Sequence, residues 1–60
     1  MKLTLRGARV NAKKTVKEVA EKLGVTTQTV YNWEQGIKQP KMQHTQQLAE
    51  LYNIKVDDFK

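Results

Sequence analysis

Sixty residues form one domain at most, near the lower size limit for a core that stabilises itself. Without cysteine there is no disulfide framework and no cysteine-ligated zinc, and the one histidine, His44, makes no metal site alone, so no metal or other cofactor is expected. Eleven Lys and Arg against six Asp and Glu leave a formal charge of +5, a balance that favours a polyanionic partner, nucleic acid first.

Strict alternation is confined to Leu3 and Leu5 and to Ile54-Lys55-Val56, whereas the helical period of 100° per residue gives the remaining segments apolar faces. An all-α fold is therefore expected. In the first segment Leu5, Ala8 and Ala12 share a side and Thr4 stands as N-cap, while Gly7 weakens the helix by about 1 kcal/mol relative to alanine. In the second, Val16, Val19, Ala20 and Leu23 share a face, Thr15 and Glu18 have capping-box spacing, and Gly24 supplies a left-handed stop. A third helix starts at the N-cap Thr26, runs from Thr27 to Gln35 and stops at Gly36. The turn before it, Gly24 and Val25, is so short that the two helices must cross steeply, with Val25 packed beneath. Beyond a loop with Ile37, Lys38, Gln39 and Pro40, one face of a fourth helix is predicted from Met42, Thr45, Leu48, Ala49 and Tyr52, ending at Asn53. Val56 and Phe59 predict a last helical turn that closes the core, and His44 is expected on the solvated surface, turned away from Leu48 and Ala49.

On the wheel of the third helix Val30 and Trp33 define the inward face, which makes Trp33 a core anchor. Gln28, Tyr31, Asn32 and Gln35 point the other way. A helix of this length spans about 13 Å, comparable with the roughly 12 Å width of the DNA major groove, and Gln and Asn carry the paired donor and acceptor that match the N6 and N7 edge of adenine. That outer face bears no charge in a chain that is 28% charged, although exposed helices commonly carry Glu–Lys pairs. Positive charge gathers instead at Lys2, Arg6, Arg9, Lys13, Lys14 and Lys17, with no acid before Glu18. Two charges point inward: Glu34 lies about 40° from Val30, and Arg9 about 40° from Leu5. A buried charge is tolerated only when paired, which predicts a structural ion pair between Arg9 and Glu34.

The run Thr15-Val16-Lys17-Glu18-Val19-Ala20-Glu21-Lys22-Leu23-Gly24-Val25-Thr26, then Thr29-Val30-Tyr31-Asn32-Trp33-Glu34-Gln35-Gly36, Pro40, Leu48-Ala49 and Asp57, resembles the Cro/phage-repressor (XRE) family of helix-turn-helix DNA-binding proteins. The resemblance spans Leu5 to Phe59 and implies a lambda-repressor-like bundle of four or five helices, with the helix-turn-helix at about 16–35 in a single domain, 1–60. It further implies a transcriptional repressor or regulator, dimeric on a palindromic operator, whose third helix enters the major groove. Carried over by position, it assigns base reading to Thr27, Gln28 and Asn32, with Tyr31 beside them. Phosphate contacts are assigned to Thr15, Lys17, Thr26 and Gln35 and to Lys38 and Lys41 of the loop; the arginine and glutamate of many members fall on Arg9 and Glu34. Two positions depart from the family pattern: Val16 replaces a frequent glutamine that touches DNA, and Lys14 replaces a commonly apolar residue.

The excisionase and MerR-type proteins share Thr-Val-Lys-Glu-Val-Ala and Thr-Val-Tyr, but they place the motif near the N-terminus and follow it with a β-wing. Here one helix precedes the motif and another follows Pro40. An antitoxin-like protein-interaction module on the same fold is the alternative from another class, and the charge asymmetry argues against it. Lacking a nucleophile–base pair, a carboxylate pair in a cleft and a phosphate-cradling glycine loop, the chain is not expected to be an enzyme. No segment approaches the ~20 apolar residues of a membrane span, and no apolar run of signal-peptide length follows the first charges. The expected location is the cytoplasm of a bacterial or phage-infected cell, at the nucleoid. A homodimer is expected through the apolar carboxyl-terminal end at Leu51, Ile54, Val56 and Phe59.

Overall fold

Residues 2–59 are described by a computed structural model. Four helices follow one another, α1 (Leu5–Asn11), α2 (Val16–Leu23), α3 (Thr27–Gln35) and α4 (Met42–Tyr52), and a 3-10 turn at Val56–Asp58 completes the chain order. Among the described residues there is no strand; extended pairing is limited to one parallel bridge between Leu3 and Phe59.

Short polar side chains start three of the helices, because the first N–H groups of a helix have no partner within it. Thr4 Oγ1 accepts from the Gly7 N–H at 2.9 Å. At α2 the exchange is reciprocal: the Glu18 N–H donates to Thr15 Oγ1 at 3.1 Å and the Thr15 N–H to Glu18 Oε1 at 3.0 Å. Thr26 Oγ1 accepts from the Thr29 N–H at 3.2 Å, whereas α4 starts after Lys41 without a side-chain cap.

Three helices stop on a residue in the left-handed region, Gly24 (φ 72), Gly36 (φ 78) and Asn53 (φ 58), and α1, capped by right-handed Ala12, is followed by left-handed Lys13 (φ 60). In each case the next N–H reaches back to a carbonyl of the last turn: Lys14 to Arg9, Val25 to Ala20, Ile37 to Asn32 and Ile54 to Ala49, at 2.9–3.1 Å. Glycine meets this conformation without a Cβ clash, and asparagine tolerates it, but lysine pays about 1–2 kcal/mol. The α1 stop at Lys13 was not foreseen in the sequence. A side chain of α1 itself spans it, Arg9 Nη1 donating to the Lys14 carbonyl at 3.0 Å.

Every helix contributes to one core. Ala8 of α1, Val16, Val19 and Ala20 of α2, Val30 and Trp33 of α3, and Leu48 and Tyr52 of α4 are buried together. Leu5, Ala12, Leu23, Val25, Leu51, Ile54 and Phe59 pack around them, and the Phe59 ring meets Tyr52 edge-on at 6.5 Å. The terminal segments clasp one another: the Leu3 N–H donates to the Asp58 carbonyl at 2.6 Å, and Lys2 Nζ donates to the Asp57 carbonyl.

Two expectations need correction. Met42 is 64% exposed rather than part of the α4 core face, because it is the first residue of the helix and the wheel gives a direction but not how far along the axis the core extends. His44 is half-buried, with its ring 5.1 Å from that of Trp33 and tilted by 37°. Four residues before Leu48, it shares that residue's side of α4 and shields the edge of the core.

Candidate nucleic-acid interface

α3 is anchored by its inward residues, Val30 at 1% exposure and Trp33 at 7%, which leaves the opposite side in solvent. Thr27, Gln28, Tyr31 and Gln35 are exposed, and Asn32 is half-buried. These side chains form an uncharged strip along the helix. Within it Gln28 Nε2 donates to Asn32 Oδ1 at 3.0 Å, one helical turn away. At the start of the helix the Thr26 and Thr29 hydroxyls lie 2.9 Å apart, and the Thr26 cap serves the Thr29 N–H. The N–H groups of Thr27 and Gln28 belong to the first turn and point outward with the positive end of the helix dipole, an arrangement suited to a phosphate oxygen.

Glu34 is the one acid of α3, and it is withdrawn from the strip. Arg9 Nε donates to its Oε2 at 2.7 Å and Arg9 Nη2 to its Oε1 at 3.3 Å, with side chains 14% and 6% exposed. The third guanidinium contact, to the Lys14 carbonyl, makes Arg9 a tie between α1, the entry to α2, and α3. Hydrogen bonding to Glu34 raises the Arg9 pKa despite the opposing cost of burial. Tyr52 borders the pair, and burial, reinforced by the Glu34 charge and opposed by Arg9, pushes its phenol up to about 12. At the start of α2 the Thr15 N–H holds the Glu18 carboxyl below its ordinary range.

The residues expected to contact phosphate lie, apart from Gln35 in the strip itself, at the starts of α2 and α3 and in the loop after α3. Thr15 and Lys17 are exposed at the start of α2, Thr26 at the start of α3, and Lys38 and Lys41 in the loop after it. The loop is folded back on α3 because the Asn32 carbonyl accepts from the N–H groups of both Ile37, at 3.0 Å, and Lys38, at 3.4 Å. Leu51, Ile54, Val56 and Phe59 are each half-buried; Leu51, Ile54 and Phe59 pack on the core, whereas Val56, expected to close it, is not among the residues against it.

In the sequence Arg6 is one cation of the amino-terminal run, with no role of its own. It is exposed on α1 and lines a cleft between α1 and α3 together with Tyr31 and Gln35, with the Arg9–Glu34 pair at its floor. The acid-free amino-terminal run contained it, but only the packing of α1 on α3 distinguishes it from the other cations. No helix among the described residues is long and apolar enough to cross a membrane.

A family model described as helix-turn-helix matches residues 5–59. No curated protein and no solved structure matches the chain.

Proposed function

We propose that this chain, which belongs to the XRE family of helix-turn-helix DNA-binding proteins, is a sequence-specific repressor that sets α3 into the major groove of an operator. The observation that carries this reading is the strip on α3: exposed amides, hydroxyl and phenol with no charge, while the acid of the same helix is bound to Arg9 on the inner side. An uncharged hydrogen-bonding face enters between two phosphate chains without repulsion and meets base edges with both donors and acceptors.

In this reading Thr27, Gln28, Tyr31 and Asn32 face the bases. Thr15, Lys17, Thr26, Gln35, Lys38 and Lys41 hold the phosphates and set the register. Where the operator overlaps a promoter, occupancy of the groove alone excludes polymerase, so repression in this reading needs no added chemistry. One module covers half a palindromic site, and the exposed portions of Leu51, Ile54, Val56 and Phe59 are the proposed contact with a second copy. The place of action is the nucleoid, in the cytoplasm.

Selection of bound sequences from a random duplex pool tests the reading. A palindrome with a fixed half-site spacing is expected. Lys38→Ala should weaken binding to all sequences alike and lower the salt slope by about one counterion, whereas Gln28→Ala should relax preference at one base pair by about 1–3 kcal/mol. Retention on heparin with no shift of any duplex would overturn the assignment in favour of a protein-interaction module.

A further inference from the structure

The hydrogen bond between Gln28 and Asn32 bears on which base α3 selects. A glutamine amide has two N–H donors and one carbonyl oxygen, and it can be turned over by half a rotation about its last bond. With one N–H committed to Asn32 Oδ1 at 3.0 Å, Gln28 retains one N–H and its Oε1. That remaining set is a donor and an acceptor, which adenine satisfies with N7 and the N6 amino group. Turned over, the same amide would place Oε1 against Asn32 Oδ1, two acceptors in contact, unless Asn32 also turned. Both would then present a different pattern: Gln28 would keep two N–H donors, the set that guanine takes with N7 and O6. The orientation of the Asn32 amide thus decides between two purines.

We propose that Gln28 and Asn32 read a single base pair as one unit, with Asn32 a positioning residue that holds the Gln28 amide in the adenine-selecting orientation. The inference rests on the proposed groove insertion of α3 and goes beyond it by merging two base contacts into one. The contact is local to one helical face and spans one turn, so its geometry depends on no neighbouring helix. Asn32 is also the residue whose carbonyl binds the loop after α3, which restricts the movement of its backbone.

The test measures binding of unaltered protein, Gln28→Ala, Asn32→Ala, Asn32→Asp and the Gln28→Ala, Asn32→Ala double variant to duplexes carrying each base pair at every position of the selected site, with a thermal melt of each variant. Asn32→Ala should lower the adenine-over-guanine preference on the order of tenfold at the same base pair that Gln28→Ala affects. The double variant should discriminate no less there than Gln28→Ala alone. Asn32→Asp keeps an acceptor for the Gln28 N–H, so it should weaken all duplexes by repulsion while leaving that adenine preference intact. A preference lost at a different base pair in Asn32→Ala, with effects that multiply in the double variant, overturns the coupling and leaves groove reading standing. Absence of any sequence preference in the unaltered protein overturns groove reading and the coupling together.

Discussion

Removal of the Glu34 carboxylate measures how much of this small fold depends on one ion pair. In Glu34→Ala, Arg9 loses acceptors at 2.7 and 3.3 Å and keeps only the Lys14 carbonyl at 3.0 Å, with a side chain 14% exposed. Stranding a charge in this way typically costs 3–5 kcal/mol, and partial access of the guanidinium to water places the expected loss near the lower end, about 3 kcal/mol. A domain of this size has about 3–9 kcal/mol of stability in total, so the variant should be close to half unfolded or should melt roughly 20 °C lower. Circular dichroism melts of the unaltered protein and of Glu34→Ala provide the comparison, and the Arg9→Met, Glu34→Leu double variant supplies the control. Replacing both partners by apolar side chains of similar volume removes the stranded charge and should recover most of the loss. A melting temperature for Glu34→Ala within 2 °C or so of the unaltered protein, or a double variant no more stable than the single, would refute the argument. Because the pair raises an already high Arg9 pKa, its stabilising contribution on the arginine side is fully present throughout the neutral range.

Lys13→Gly should stabilise the protein by about 0.5–1 kcal/mol, since glycine removes the Cβ penalty at φ 60 and offsets the entropy that it adds to the unfolded chain; a lower urea midpoint would contradict this. Tyr52 is neutral in the folded state up to about pH 12, while an unfolded tyrosine ionises near pH 10. Its contribution is therefore complete below pH 10 and is lost as the pH rises to 12, by about 2 kcal/mol, and Tyr52→Phe should show a shallower decline. In a Tyr31→Phe background, phenolate absorbance should report Tyr52 ionisation near pH 12, and a transition near pH 10 would count against the burial argument. The Glu18 carboxyl is held low by the Thr15 N–H, so its contribution is present above the ordinary carboxylate range and disappears as the pH falls through the lowered value; Glu18→Gln should flatten that part of an acid unfolding curve.

The features legible in the sequence are those decided within a few residues. Capping at Thr4, Thr15 and Thr26 and the stops at Gly24, Gly36 and Asn53 depend on hydrogen bonds and φ angles that a short segment determines by itself. The inward positions of Arg9 and Glu34 were visible on wheels because both residues, though in the last turns of their helices, keep the helical period. Features created by packing were hidden. Lys13 carries no propensity for its conformation and is held there by Arg9 across a turn, and Arg6 joins the α3 strip only through the approach of α1. The Leu3–Phe59 bridge joins two segments at opposite ends of the chain that say nothing separately about one another. For the nucleic-acid face the sequence displayed the residues, but not the hydrogen bond that couples Gln28 to Asn32.

The clasp between the terminal segments also orders how the fold comes apart. Among the helices only α2 and α3 pack as neighbours in sequence, while α1 meets α3 and α4, and α2 meets α4, across the chain; the Leu3 amide and the Asp58 carbonyl, separated by 55 positions, are the most distant of these partners. Their contact closes nearly the whole chain into one loop at its two ends and is expected to open before the core does. Amide hydrogen exchange should distinguish the two regimes, with rapid exchange at Leu3 by local fraying and slow exchange at Val30, whose N–H is released only when the whole bundle opens. On this expectation α3 stays closed while the seam between the termini breathes.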